Sequence, residues 1–247
     1  MIIIEAGPSI KQDLMLMLSK YGPLEQQLHS KLVNSGFRVG IINARDEELR
    51  ITQGRAVLLL DNVFEALIAS GLFDKTLNAQ NVYVMAMNRV LLFRELSRLG
   101  YPVPEFMIAL NPNVVANVVK SIGRTYMATP SMAMELDGIV TTWEGSKSIA
   151  EHRMYMGNPL AKINLLMKAP DSMFNAQVIG TNCINCSGLD SMLLRLSRDI
   201  GCVLCTYAIG VYDSEAVILG LDPRIELTAE NLDKVVSAIV RWYNGEW

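Results

Sequence analysis

The chain is expected to fold as an α/β protein whose N-terminal lobe is a parallel sheet covered by helices. Short apolar runs of strand length alternate with helix-periodic runs from the N-terminus to Met87, and the turns joining them are brief, as parallel strands with crossover helices require. A length of 247 residues with 51% hydrophobic and 19% charged content can bury a sizeable core in two or three packed lobes.

Met1 to Ala6 reads as a buried strand, Pro23 to Ser35 as a helix stopped by Gly36, and Phe37 to Asn43 as a second strand. Ala56 to Leu60 follows as a third strand, Val63 to Ser70 as a helix closed by Gly71, and Asn81 to Met85 as a fourth strand. Asn88 and Arg89 then open an amphipathic helix: Val90, Leu91, Phe93, Leu96 and Leu99 fall near helical spacing, while Arg94, Glu95 and Arg98 face outward. Gly100 stops that helix, and Tyr101-Pro102-Val103-Pro104 launches an extended segment.

Asn111 is a plausible cap for a helix over Pro112 to Gly123, with proline in the first turn and Val114, Val115, Val118 and Val119 along one side. Thr125 to Ala128 and Gly138 to Thr142 are two strands joined by Thr129 to Asp137. A helical stretch, Ser146 to Met154, leads to apolar strands at Ala161 to Met167 and Asn175 to Thr181. Gly188 to Ile200 is an amphipathic helix ended by Gly201, and Val203 to Tyr212 with Ala216 to Leu221 forms a hairpin turning at Asp213-Ser214. Thr228 caps a last helix running to Trp242. No repeat, low-complexity tract or flexible linker separates these pieces, so the lobes pack together.

A net charge of −3 without any Lys/Arg-rich run argues against a nucleic-acid partner held through its phosphates, because that mode needs a concentrated cationic face. The opening MIIIEAGPSI is too short in its apolar stretch, and too soon acidic, for a signal peptide or a membrane span. No membrane contact and a cytoplasmic address are therefore expected.

The order Asn88, Arg89, Leu96, Gly100, Pro102 and Pro104 carries more than helix physics requires. Position by position it resembles the ATP-grasp superfamily, most closely the RimK-like branch, whose members join a carboxylate to an amine with ATP. The resemblance implies an ATP-grasp fold with an N-terminal parallel α/β (pre-ATP-grasp) lobe. The lobes would cover residues 1–86, then 87–170 as the central lobe and 171–247 as the C-terminal lobe.

Within that resemblance the chemistry looks altered at three stations. The family's phosphate lysine stands before a proline at the end of the strand that is Thr125 to Ala128 here; the proline is kept as Pro130, and the lysine position is Thr129. Aligning Lys120 instead leaves too few residues after Pro104 for the strand, loop and helix that must fit there. The family's glycine-rich phosphate loop corresponds to SMAMELDG, residues 131–138, with two acids and one glycine. The family's metal carboxylates correspond to Asp213, one place late after Gly210-Val211, and to Gly220-Leu221-Asp222 in place of Glu-x-Asn. Arg89, Thr129 and Asp222 are thus the candidate cofactor-binding residues, and Asp213 and Asp222 the candidate magnesium ligands.

The four cysteines form two pairs, Cys183-x-x-Cys186 and Cys202-x-x-Cys205, with fifteen residues between the pairs. That spacing satisfies a zinc template. Against it, an intervening helix would hold the pairs about 20 Å apart, and buried free thiols are the competing expectation.

Three functional readings follow. The first is an ATP-grasp-fold protein that has lost catalysis and works by binding a small molecule or a partner subunit, as a homo-oligomer or in complex with a related ligase. The second is a divergent ATP- and Mg-dependent carboxylate–amine ligase of glutamate type, with Arg89 on phosphate. The third is a metal-binding or redox module carried by the CxxC pairs, with zinc as the ion.

Overall fold

The computed structural model describes residues 12–45 and 53–247. The strand expected at Met1 to Ala6 lies outside the described residues. The N-terminal lobe is a four-stranded parallel sheet of order β2-β1-β3-β4, built from β1 (Gln12–Leu18), β2 (Phe37–Asn43), β3 (Arg55–Leu59) and the two-residue β4 (Lys75–Thr76). Its crossovers are α1 (Pro23–Asn34) and α2 (Val63–Ser70), the latter capped by the Asn62 carboxamide accepting from the Phe64 and Glu65 amides.

Alternation along β1 explains why both faces of this sheet are covered. Leu14, Leu16 and Leu18 point into a core shared with α1 and the C-terminal helix, whereas Met17 points the other way, into the core beneath α2. The segment expected as a fourth strand, Asn81 to Met85, is instead part of α3 (Gln80–Met87). Its buried residues Val82, Tyr83, Met85 and Ala86 follow a helical face, and a five-residue apolar run is too short to distinguish that from a strand by pattern alone.

One residue later, α4 (Arg89–Arg98) begins on the Asn88 side chain, which accepts from the Val90 and Leu91 amides. The central lobe is an antiparallel sheet of order β5-β8-β6-β7: β5 (Met107–Ala109), β6 (Thr125–Ala128), β7 (Gly138–Val140) and β8 (Asn164–Lys168). The helices α5 (Pro112–Ile122) and α6 (Trp143–Tyr155) cover one face through Val115, Val119, Met127, Ala150 and Leu166. The third sheet, also antiparallel, has the order β10-β9-β11-β12, with β9 (Ser172–Ile179), β10 (Asn182–Ile184), β11 (Leu204–Tyr212) and β12 (Glu215–Asp222). The helix α7 (Asp190–Ile200) connects β10 to β11, and α8 (Leu232–Asn244) closes the chain against the first sheet.

The three sheets share their interiors. Tyr126, Ala128, Leu165 and Met167, on the face of the central sheet away from α5 and α6, belong to the same core as Val178, Tyr207, Ile209 and Ile218 of the third sheet and Phe93 of α4. Asn78 joins the first lobe to the third. Its carboxamide oxygen accepts from the Val203 and Leu204 amides at 2.8 and 3.0 Å, and its nitrogen donates to the carbonyls of Leu204 and Pro223 at 3.0 and 3.3 Å. Among the described residues, no helix is long and apolar enough to cross a membrane.

Candidate functional site

Arg89 is held in place by its own helix start. With Asn88 capping α4, the Arg89 amide is free to donate to the Pro130 carbonyl at 2.7 Å, which ties the helix to the end of β6. Its side chain is fully buried. Nη2 donates to Asp137 Oδ2 at 2.5 Å and Nη1 to the Thr129 carbonyl at 3.2 Å, whereas Nε has no partner.

Asp137 gathers the rest of the cluster. Its Oδ2 also accepts from the Tyr126 hydroxyl at 2.8 Å, and its Oδ1 from the Thr129 amide at 2.9 Å. The Thr129 hydroxyl donates to the Ser131 carbonyl at 3.0 Å. Burial, reinforced by the Asp137 charge, raises the Tyr126 phenol well above its usual range, so it stays protonated as a donor. Beside the cluster, Arg153 donates to Asn164 Oδ1 at 2.8 Å and to the Leu136 carbonyl, which pins the loop that carries Asp137.

The open side of Arg89 is Gly220 on β12. A Cβ added at Gly220 would stand 3.1 Å from both Nε and Nη2 of Arg89 and 3.2 Å from Met132 Cβ. The guanidinium therefore occupies the volume into which a longer side chain at Gly220 would project. Across the sheet, Ala208 of β11 pairs with Gly220, and Thr206 with Asp222.

Asp222 ends β12 as a nearly buried carboxylate clamped by Arg224: Oδ1 accepts from the Arg224 amide at 2.9 Å and from Nε at 3.0 Å, and Oδ2 from Nη2 at 2.7 Å. Asp222 raises the Arg224 guanidinium further above its usual range, and Arg224 Nη1 reaches the Asp61 carbonyl at 2.8 Å. These two residues line a cleft of about 650 Å³ between the first and third sheets, shared with Lys20, Glu25, Glu135 and Glu226.

The residues singled out in the sequence are thus partly brought together. Arg89 and Thr129 meet in one buried cluster, and Asp222 lies at the cleft close by in the fold. Asp213 does not join them. It sits with Ser214 in the β11–β12 turn, both with left-handed φ (47° and 74°), and its amide donates to Asp171 Oδ2 at 2.9 Å. Asp213 and Asp222 stand at opposite ends of β12, roughly 25 Å apart at a strand's rise, so they cannot share an ion. Lys120 is exposed on α5 with its ammonium 4.2 Å from the Trp143 ring.

Asp137, Tyr126 and Ala208 carried no sequence signal of their own, since their partners are set by sheet register. The donor set does not fit a magnesium–phosphate centre of the kind the family uses. Thr129 offers no cation, Gly220 no carboxylate, and the two positions of the Glu-x-Asn motif face guanidinium groups, from Arg89 and Arg224 respectively.

The cysteines also differ from expectation. The structure joins Cys183 to Cys186 and Cys202 to Cys205, leaving no free thiol among the described residues, so neither free buried thiols nor one four-cysteine zinc site is formed. The pairs are nonetheless closer than the helix between them suggests, because β10 before α7 and β11 after it pair with the two edges of β9. Cys183 and Cys205 both lie opposite Val178 on β9, one on each side.

The three sheets and the helices between them have the ATP-grasp fold. The likeness to solved structures agrees. A RimK domain ATP-grasp protein from Sphaerobacter thermophilus superposes with a TM-score of 0.74 at 13% identity, over 92% of this chain and 99% of that one. The ATP-grasp ligase PsnB, solved with a phosphomimetic precursor variant, Mg and ADP, gives 0.66 at 11% identity over 94% of this chain and 99% of that one. In sequence, the glutamate–LysW ligase ArgX of Sulfolobus acidocaldarius is 24% identical over 162 residues, 59% of this chain and 57% of that protein. The match therefore spans little more than half of that relative. No family model matches the chain.

Proposed function

We propose that this ATP-grasp protein works by binding, with the cleft between the first and third sheets as its ligand site and the former phosphate station closed by a buried ion pair. The observation that carries this reading is the Arg89 guanidinium, wholly buried beside Gly220 and neutralised by Asp137. Gly220 offers no carboxylate and Asp222 is already held by Arg224, so neither metal-ligand position presents a free acid to Mg²⁺, and a triphosphate is left without its bridging ion. The cleft carries five carboxylates, Glu25, Asp61, Glu135, Asp222 and Glu226, against Lys20 and Arg224, which favours a small amine-bearing ligand. A cytoplasmic address and assembly with a second copy or a related ligase belong to the same reading.

A second reading is supported by the relatives: an ATP- and Mg-dependent ligase acting on a glutamate-type acid, as the name of the ArgX relative and the Mg and ADP in the PsnB complex suggest. The relatives favour this reading, and the side chains at the station favour the first. Calorimetry with ATP and Mg²⁺, followed by an ADP-release assay over the amino acids with amine acceptors, separates them. Tight Mg-dependent nucleotide binding with amino-acid-dependent ADP release would sink the binding reading. Absence of nucleotide binding at millimolar ATP, together with binding of a primary amine that Asp222→Asn weakens, would support it.

A further inference from the structure

The two CxxC pairs share a spacing but not an environment. Cys202 and Cys205 are completely buried, at 0% exposure each, in the core beneath α7. Cys183 is half-buried on β10, the edge strand of its sheet, and Cys186, in the loop to α7, is buried against the same core at 4% exposure, so the first pair is open only on its Cys183 side. That loop carries left-handed φ at Asn185 (56°), Ser187 (49°) and Gly188 (83°). The resulting tight turn delivers the exposed Asp190, first residue of α7, to the same spot. The ligand atoms of Cys183, Cys186 and Asp190 all lie within 4.8 Å of one another.

We infer that, when reduced, Cys183, Cys186 and Asp190 form a binding site for a thiophilic divalent ion such as zinc, and that the Cys183–Cys186 disulfide is the state that releases it. Tetrahedral zinc at about 2.3 Å from sulfur and about 2.0 Å from carboxylate oxygen needs ligand atoms roughly 3.5 Å apart. The exposed Asp190 side chain can supply the needed movement by changing rotamer, and solvent on its exposed side can supply a fourth ligand. Two thiolates and a carboxylate are a soft, anionic set that selects zinc over magnesium. Among the described residues, no carboxylate joins Cys202 and Cys205 in a group close enough to share an ion. Val178 lies between Cys183 and Cys205, about 10 Å apart across two strand spacings, which keeps the second pair out of the first site.

The chemistry balances with a dithiol reductant. Two electrons and two protons pass from the dithiol to the Cys183–Cys186 sulfurs, the reductant closes its own disulfide, and metal binding then releases the two thiol protons to solvent. Oxidation of the bound pair reverses the exchange and frees the ion.

The test is cobalt titration of the full chain, reduced, stripped of metal and kept anaerobic. The expected result is one equivalent of Co²⁺ bound with a thiolate-to-cobalt absorption band. The band should be abolished by Cys183→Ser, weakened at least about tenfold in affinity by Asp190→Asn, and unchanged in Cys202→Ala and Cys205→Ala. Zinc should displace the cobalt, and reoxidation should release it to a chromogenic indicator. No cobalt binding by the reduced chain, or a band that survives Cys183→Ser, would overturn the proposal. So would a band lost equally with Cys205→Ala in a variant that still shows native circular dichroism.

Discussion

Arg89 and Asp137 are worth more to each other than either is to the fold. A buried guanidinium loses several kcal/mol of hydration that only its partners return, so removing one partner costs more than removing both. Asp137→Ala should therefore destabilise the chain by about 3–5 kcal/mol in denaturant unfolding. It strips the acceptor not only from Arg89 but also from the Tyr126 hydroxyl and the Thr129 amide. The double variant Arg89→Met with Asp137→Asn is expected to lose clearly less than Asp137→Ala alone. Equal losses would mean that solvent reaches the guanidinium.

At the scale of the element, β12 fits only because Gly220 has no side chain. Gly220→Leu should cost about 1–3 kcal/mol by overpacking against Arg89 and Met132. Combined with Arg89→Ala it should be less damaging than the two separate losses added, by about 1 kcal/mol or more in a double-mutant cycle on thermal stability. Simple additivity would place the two side chains in different volumes.

The elements also show what could be read in advance. The helices at Pro23, Val63, Arg89 and Pro112 and the β11–β12 hairpin were legible, since caps, proline positions and periodicity are local signals. The helix α3 was not, because Asn81 to Met85 suits either period, and tertiary burial of Tyr83 and Ala86 decided it. Arg89, Thr129 and Asp222 can be singled out in the sequence through the resemblance, but the groups they bind cannot. Asp137 lies forty-eight residues from Arg89, and nothing nearby in the chain marks an acid as the mate of a distant arginine. Asp213 is placed by the β11–β12 turn, with a left-handed φ of 47°, and not by the Gly-Val step before it.

Over the whole molecule, buried phenols link stability to pH. Burial raises Tyr83, Tyr126 and Tyr207 well above the usual phenol range, and burial together with Asp171 pushes Tyr212 up to about 12. A raised folded-state value means that the unfolded chain gives up these protons first. Stability is thus fully present below the unfolded value of about pH 10 and falls as pH rises through the folded values. With three deeply buried tyrosines the slope is about 4 kcal/mol per pH unit above pH 10, enough to unfold an average protein within a few units. Absorbance at 295 nm should show these tyrosines ionising only as circular dichroism is lost. Full ionisation of all eight tyrosines in a still-folded chain would contradict it.

Asn78 has a consequence for how the chain is made. Its carboxamide is completed by backbone groups 125 to 145 residues further on, so during synthesis the first sheet emerges long before β11 and Pro223 exist to receive it. Until then the nearby Tyr83 hydroxyl is a partner the lobe itself supplies, and the rest of the amide's hydrogen bonds go to water at a position that the finished molecule keeps dry. The N-terminal lobe must therefore wait, part-solvated at its own seam, until the chain as far as Pro223 has left the ribosome.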